Sequence, residues 1–276
     1  MTQSLTAGVS LKPQHYAQAL ACRAEGLWFE AHPENYMAAG GPRLAWLDAI
    51  AADKPISLHG VGLSLAADEP PDDAHLAALK RLVDRYQPAL VSEHLAWSMR
   101  RGVYAPDLLP FPRTWAALAR IVENVDRMQE ALGRRVLIEN PSLYLPLRGH
   151  DLGEAEFLAD LVRRSGCGLL VDVNNAYVSG HNLGYSAEGY IDALPSDAIG
   201  EIHLAGHAPD AQANLLIDTH GAPVAEPVWT LYARLIARIG PRPTLIERDD
   251  DIPAFDTLMA ERDRAHGLLT REFAHA

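Results

Sequence analysis

Leu169-Leu-Val-Asp-Val-Asn-Asn-Ala-Tyr-Val-Ser-Gly-His-Asn182 opens as a short apolar run and stops on a carboxylate followed closely by two amides. From Gly168 to Val171 the run is continuously apolar rather than alternating, the pattern of a strand buried on both faces of a parallel sheet. Asp172 then sits at the carboxyl end of a buried strand, where a charge is costly unless it is paired or bound to a metal. Five other runs end in the same way: Ile-Ser-Leu-His59, Leu-Val-Ser-Glu-His94, Val-Leu-Ile-Glu139, Gly-Glu-Ile-His203 and Thr-Leu-Ile-Glu247. Such a set calls for a scaffold that gathers strand ends in one place.

Outward from this stretch, strand and helix alternate eight times. Strands are predicted at Ala7–Leu11, Leu27–Glu30, Pro55–His59, Ala89–His94, Arg135–Glu139, Gly168–Asp172, Ile199–Leu204 and Pro243–Glu247. Pro13 opens a first helix, and others are predicted near Pro42–Ala52, after an Asp72 or Asp73 cap, and at Gly153–Arg164, Ser186–Ala193, Pro227–Ile239 and Pro253–His266. The clearest helix carries Trp115, Leu118, Ile121, Val122, Val125, Met128 and Leu132 as one apolar stripe. Eight βα units without a break predict an α/β fold, a closed (β/α)8 TIM barrel forming a single domain over residues 1–276. No Gly-rich phosphate fingerprint follows a strand, which argues against an open dinucleotide-binding sheet. Two long connections, Trp97–Pro112 and Ala205–Pro223, leave strand ends and are expected to line a substrate cleft.

Composition sets the outer bounds. A net charge of −12 over 276 residues disfavours nucleic acid, whose binding needs Lys and Arg on phosphates. Two cysteines, Cys22 and Cys167, make neither a disulfide framework nor a thiolate zinc site. The first residues show no signal-peptide pattern, and no apolar run approaches the roughly 18 residues of a membrane span. A cytoplasmic protein is expected.

In a barrel the last inward residue of each strand faces a common mouth. Those positions hold His59, His94, Glu139, Asp172, His203 and Glu247, three imidazoles and three carboxylates with no basic side chain among them. Any one alone is well explained as a hydrogen-bonded structural group; six strands sharing the pattern point to divalent metal, and to at least two ions. Leu216-Ile-Asp218-Thr-His220 adds a second Asp/His pair, with one of the nearby amides a possible further ligand. Glu30 and Glu93 are candidates for orienting imidazoles, and His32, His181 and His207 follow strands without a decisive pattern. His15, His75, His150, His266 and His275 read as solvated, as do Arg100-Arg101 and the Arg248–Asp251 run.

His59-Gly, Ser-Glu-His94-Leu-Ala-Trp97, Asp107-Leu-Leu-Pro110, Ile-Glu139-Asn, Asp172-Val-Asn-Asn175-Ala-Tyr-Val178, Glu201-Ile-His203-Leu-Ala-Gly-His207, Asp218-Thr-His220-Gly and Ile-Glu247-Arg together resemble domain-of-unknown-function family 692. That family of multinuclear non-haem iron enzymes includes the methanobactin biosynthesis oxidase. The resemblance spans about Gly8 to Pro253 and implies a xylose-isomerase-like barrel with two or three iron ions. It also implies O2-dependent modification of cysteine in a ribosomally made precursor peptide, with a small partner protein presenting that peptide. Carried over by position, the metal ligands are His59, His94, Glu139, Asp172, His203, Asp218, His220 and Glu247, with Asn175 a further candidate. Glu139 and Asp172 are then expected to bridge metals at the catalytic centre. Two rival classes share the fold: a divalent-metal sugar isomerase or epimerase, and an endonuclease-type phosphodiesterase, against which the acidic charge counts.

Overall fold

The computed structural model describes residues 5–100 and 102–275. Arg101 lies outside them, as do the side chains of residues 100 and 272–275, so the readings of Arg100, Arg101 and His275 fall outside the described residues. The chain begins with β1 Ala7–Ser10, α1 Tyr16–Ala21, β2 Phe29–Ala31, α2 Pro42–Ala51, β3 Ile56–Gly60, α3 Asp73–Tyr86 and β4 Leu90–His94. An antiparallel hairpin follows, β5 Trp97–Arg100 with β6 Val103–Leu109, then α4 Trp115–Leu132, β7 Leu137–Glu139 and α5 Glu154–Ser165. Next come β8 Gly168–Asp172, α6 Val173–Leu183, α7 Ala187–Ala193, β9 Ile199–Leu204 and a small ribbon of β10 Ala208–Pro209 and β11 Leu216–Ile217. The chain ends with α8 Glu226–Ile239, β12 Thr244–Ile246 and α9 Phe255–His275.

Eight strands close into a parallel barrel in the order β1-β12-β9-β8-β7-β4-β3-β2. All eight expected strands form, and the register sets His94 beside Glu139 and Asp172 beside His203. The end opposite the mouth is plugged by side chains over glycines. A Cβ on Gly8 would lie 2.5 Å from the Trp28 indole, and one on Gly200 2.8 Å from a Leu137 methyl. Only glycine leaves room there, so Trp28 and Leu137 fill the barrel as a packed core rather than a pore. The strand ends above stand on a rigid base.

Helices follow from capping and one buried face. On α4, the Thr114 hydroxyl accepts the Ala117 N–H at 3.0 Å, and Gly133 ends the helix at φ 67°. Leu118, Ile121, Val125, Met128 and Leu132 are buried, each contributing about 1.5–3 kcal/mol of apolar transfer. Two members of the predicted stripe depart from it: Val122 is half-buried, and Trp115 is exposed with the Arg164 guanidinium 5.5 Å over its ring. The structure also corrects the sequence reading at α6, which was not anticipated because its Val-Asn-Asn and Gly180 are weak helix formers. Asp172 nucleates it, accepting the Asn175 N–H at 2.6 Å.

Several histidines read as solvated are engaged instead. His15 is buried with a ring nitrogen 2.9 Å from the Pro253 carbonyl, and His266 lies 2.8 Å from the Thr6 hydroxyl. His75 sits 3.4 Å from Glu34, and His150 accepts the Arg113 N–H at 2.9 Å. Among the described residues no helix is long and apolar enough to cross a membrane.

Candidate metal centre

Three ligand atoms converge where β3, β4 and β7 end. His59 Nε2 is 3.3 Å from His94 Nε2 and 3.2 Å from Glu139 Oε2, and His94 Nε2 is 3.1 Å from the same oxygen. Ligands about 2.1 Å from one metal lie roughly 3.0 Å apart at right angles and roughly 3.4 Å apart in a tetrahedron. The observed spacing fits a shared cation. The far sides of both rings are engaged: His94 Nδ1–H donates to the Gly60 carbonyl at 2.8 Å, and His59 Nδ1 pairs with Ser92 Oγ at 2.8 Å. That assignment of the His94 proton turns its Nε2 lone pair inward, as metal-binding imidazoles require.

The Gly60 carbonyl is itself held in place. Glu34 accepts the N–H groups of Val61 at 3.0 Å and Gly62 at 2.9 Å, bracing the turn just after Gly60. The His32-Pro-Glu-Asn35 turn after β2 thus bears on His94 of β4 across the intervening β3. Glu93 does not orient an imidazole as expected; it accepts the His94 backbone N–H at 3.2 Å, and burial together with Glu34 pushes its carboxyl well up.

Two further clusters adjoin the first. Glu139, Asp172 and His203 present ligand atoms within 4.8 Å of one another, and so do Asp172, His220 and Glu247. Glu139 therefore belongs to the first and second clusters, and Asp172 to the second and third. Having spent one oxygen on capping α6, Asp172 keeps Oδ2 buried without a hydrogen bond, 3.8 Å from His220 Nε2; Glu139 Oε2 and Asn175 Oδ1 are also buried without a hydrogen-bond partner. Asn175 donates to Glu139 Oε1 at 3.2 Å, fixing the shared carboxylate. His220 Nε2 lies 2.9 Å from Asp218, and its Nδ1 lies 3.3 Å from both Glu247 and Asp249. His220 adopts φ 48°, a left-handed backbone that a non-glycine residue holds at a cost and that gathers at functional sites.

Electrostatics describe a site built for positive charge. Burial pushes Glu139 up, but His94 and His59 beside it more than offset this and hold its carboxyl at about 2. Burial lowers His59, yet Glu30 and Glu139 raise it to about 10. Glu247 is held well below the usual range despite burial, by His203 and His220. Asp172 is pushed well up by burial, with Asp218 and Glu139 adding to it. A divalent cation would relieve the conflict among these carboxylates, and the donor set of imidazole and carboxylate suits iron, zinc or manganese.

All nine residues singled out as ligands by sequence meet at this mouth. Sequence reasoning named Glu30 for orienting an imidazole but passed over Glu201 and Asp249. Glu30 accepts His203 Nε2–H at 3.1 Å, the orienting position expected of it, and leaves Nδ1 to face Glu247 at 3.0 Å. Glu201 stands 3.9 Å from His203 Nε2 with both oxygens unpartnered; its place two residues before His203 on one strand was the available signal. Asp249, read as part of a solvated run, bridges Lys12 at 2.6 Å, His32 at 3.5 Å and His220, so a lysine does reach the site's edge. Arg248, from the same run, is buried against Glu261. His207 is joined to the site through Asn174, which accepts from it at 2.7 Å and donates to Asp218 at 2.6 Å. His181 is exposed on α6.

Above the centre lies a cavity of about 580 Å3, floored by His94, Glu139, Asn175, Asp218, His220 and Asp249. Both long connections line it, the first as the β5–β6 hairpin, the second through Asp218–His220.

Known proteins share this fold and sequence. A D-psicose 3-epimerase from Clostridium cellulolyticum superposes at TM-score 0.60 over 98% of this chain and 99% of its own, at 12% identity. Endonuclease IV from Thermus thermophilus does so at 0.54 over 98% and 100%, at 17% identity. These likenesses establish the xylose-isomerase-like barrel and nothing about chemistry. In sequence, a UPF0276 protein of Caulobacter vibrioides (strain NA1000 / CB15N) is 72% identical over 276 residues, covering 98% of this chain and 99% of the relative. A UPF0276 protein of Chromobacterium violaceum is 49% identical over 262 residues, covering 95% and 94%. The model of the RiPP precursor modification enzymes MbnB/TglH/ChrH matches residues 6–270, and the chain belongs to that family.

Proposed function

We propose that the chain is a multinuclear non-haem iron enzyme that oxidises a cysteine of a ribosomally made precursor peptide, with O2 as electron acceptor. The observation that carries this reading is the run of three ligand clusters sharing Glu139 and Asp172, in a member of a peptide-modifying family. His59, His94 and Glu139 would hold one ion; Asp172, His203, Glu247, Asp218, His220 and Asn175 would hold one or two more. Iron in these positions would supply a thiolate anchor and redox exchange with O2.

The chain's own residues set the geometry. The Asn175 amide and the Asp172 cap fix the two shared carboxylates, while Gly60, Ser92 and Glu30 fix the imidazoles. Within the first cluster the cavity reaches His94 and Glu139, and His94 is the more open, with a 19% exposed side chain against 2% for Glu139 and 0% for His59, so the substrate thiol arrives on its side. A small partner protein presenting the peptide, and a reducing cytoplasm that keeps the cysteine a thiol, belong to the same reading.

The test is metal exchange with a cognate Cys-containing peptide and its partner. Ferrous protein should consume O2 and convert the peptide. Zinc protein should bind the same ligands and stay inert, since zinc has no accessible redox change. Equal turnover by the zinc form, or of a Cys→Ser peptide, would overturn the proposal, and O2-independent interconversion of an aldose and a ketose would replace it with the epimerase class.

A further inference from the structure

We infer that the rim of the cavity is the specificity site for the peptide, and that it selects apolar side chains on both sides of the cysteine and excludes acidic ones. This rests on the thiol-directed reading above and adds which peptides qualify.

Exposed large apolar residues are unevenly placed. Val61 follows β3; Met99, Val103, Tyr104 and Leu108 lie on the β5–β6 hairpin; Leu145 follows β7. All six sit on segments leaving the mouth end of the barrel. Among the described residues the other two, Trp46 and Trp115, are on helices and each is partly covered, by Tyr16 at 5.8 Å and Arg164 at 5.5 Å. Apolar groups gathered at one end mark a binding surface rather than ordinary surface scatter.

The hairpin is built as a wall. Ser64 pins its base by accepting the N–H groups of Ser98 at 2.8 Å and Met99 at 3.1 Å, and the Trp97 indole donates to the Pro110 carbonyl at 2.8 Å. Along β6, Tyr104, Pro106 and Leu108 alternate and so share a face, and all three line the cavity. Pro141 and Tyr144 form part of the opposite side. A volume of about 580 Å3 is in the range that holds a ligand the size of a few residues. The cavity is continuous with the candidate metal centre, so a cysteine seated at His94 sends its neighbours along these walls.

Charge gives the second half of the selection. Asp107, Asp218 and Asp249 line the cavity, and no Lys or Arg does so among the described residues. An acidic flank along the hairpin would be desolvated beside Asp107, and Lys12 at the cavity's edge is already engaged by Asp249 at 2.6 Å.

The experiment captures a randomised pool of five-residue peptides, with cysteine at the centre, on zinc-loaded protein, which binds without turnover. Apolar flanks should be enriched over acidic ones by about tenfold per position, the ratio expected for burying one such side chain. The exposed-residue variant Tyr104→Ser/Leu108→Ser should keep its zinc and its need for cysteine but lose the enrichment; Val61→Ser, which lines the same cavity from the end of β3, gives an independent check. Cysteine-dependent capture with random flanks would overturn the rim inference and leave the thiol reading standing. Apolar enrichment that persists in a Cys→Ser pool would support the rim and sink the thiol reading. Capture of neither kind would overturn both.

Discussion

Glu139→Gln is the sharpest probe of the centre, because this carboxylate belongs to two clusters at once and the amide keeps its size and its contact with Asn175. In metal-free protein its pKa stands at about 2 against 4.5 for a free glutamate, a gap worth roughly 3 kcal/mol at about 1.4 kcal/mol per pH unit. The group is fully buried, so solvent screening takes little from this order-of-magnitude figure. At this chain length about 2 °C of Tm accompanies each kcal/mol, so the variant should melt roughly 6 °C lower. The sign sets the pH window. A depressed carboxylate stabilises above pH 4.5 and loses that contribution as pH falls toward about 2. Its partner His59, raised to about 10, contributes fully below pH 6.5 and loses that contribution progressively as pH rises from 6.5 toward about 10. The two describe one interaction and do not add. The gap between wild type and variant should therefore peak between about pH 4.5 and 6.5 and shrink on both sides. Thermal unfolding of chelator-treated proteins across that range, followed by ferrous titration, reads both the gap and the lost metal. A pH-independent gap, or wild-type metal content in the variant, would refute the shared-ligand reasoning.

Three other outcomes are expected. Asp172→Asn should lose metal yet keep α6 capped, whereas Asp172→Ala should lose metal and about 1 kcal/mol of cap stability as well, separable by metal analysis and denaturant unfolding. Glu34→Ala should weaken metal binding about 10–100-fold by releasing the turn that presents Gly60 to His94, and Glu34→Gln, which retains an acceptor oxygen, should restore most of it in a metal titration. Generic duplex DNA should bind weakly at physiological salt and without a steep salt slope, given the net charge of −12; tight, strongly salt-dependent binding in a filter assay would revive the nuclease class.

Local pattern alone determined the barrel and its mouth. Short continuous apolar runs such as Gly168–Val171, bounded by glycine and repeated eight times between helices, read as strands buried on both faces, and period-two geometry then aims His59, His94, Glu139, Asp172, His203 and Glu247 inward at one end. What the pattern could not reveal was partnership across the barrel. Glu30 becomes the acceptor for His203 only because closure brings β2 across from β9, 173 residues away in sequence. Asp249 joins His220 and Lys12 through loops whose paths no local signal specifies. The division of Asp172 between capping α6 and offering Oδ2 to the centre depends on a helix whose own residues are poor helix formers and which exists because tertiary packing overrides propensity. Strand ends are dictated by side-chain alternation within a few residues, whereas the bonds that orient a ligand form between segments that meet only after the barrel has closed.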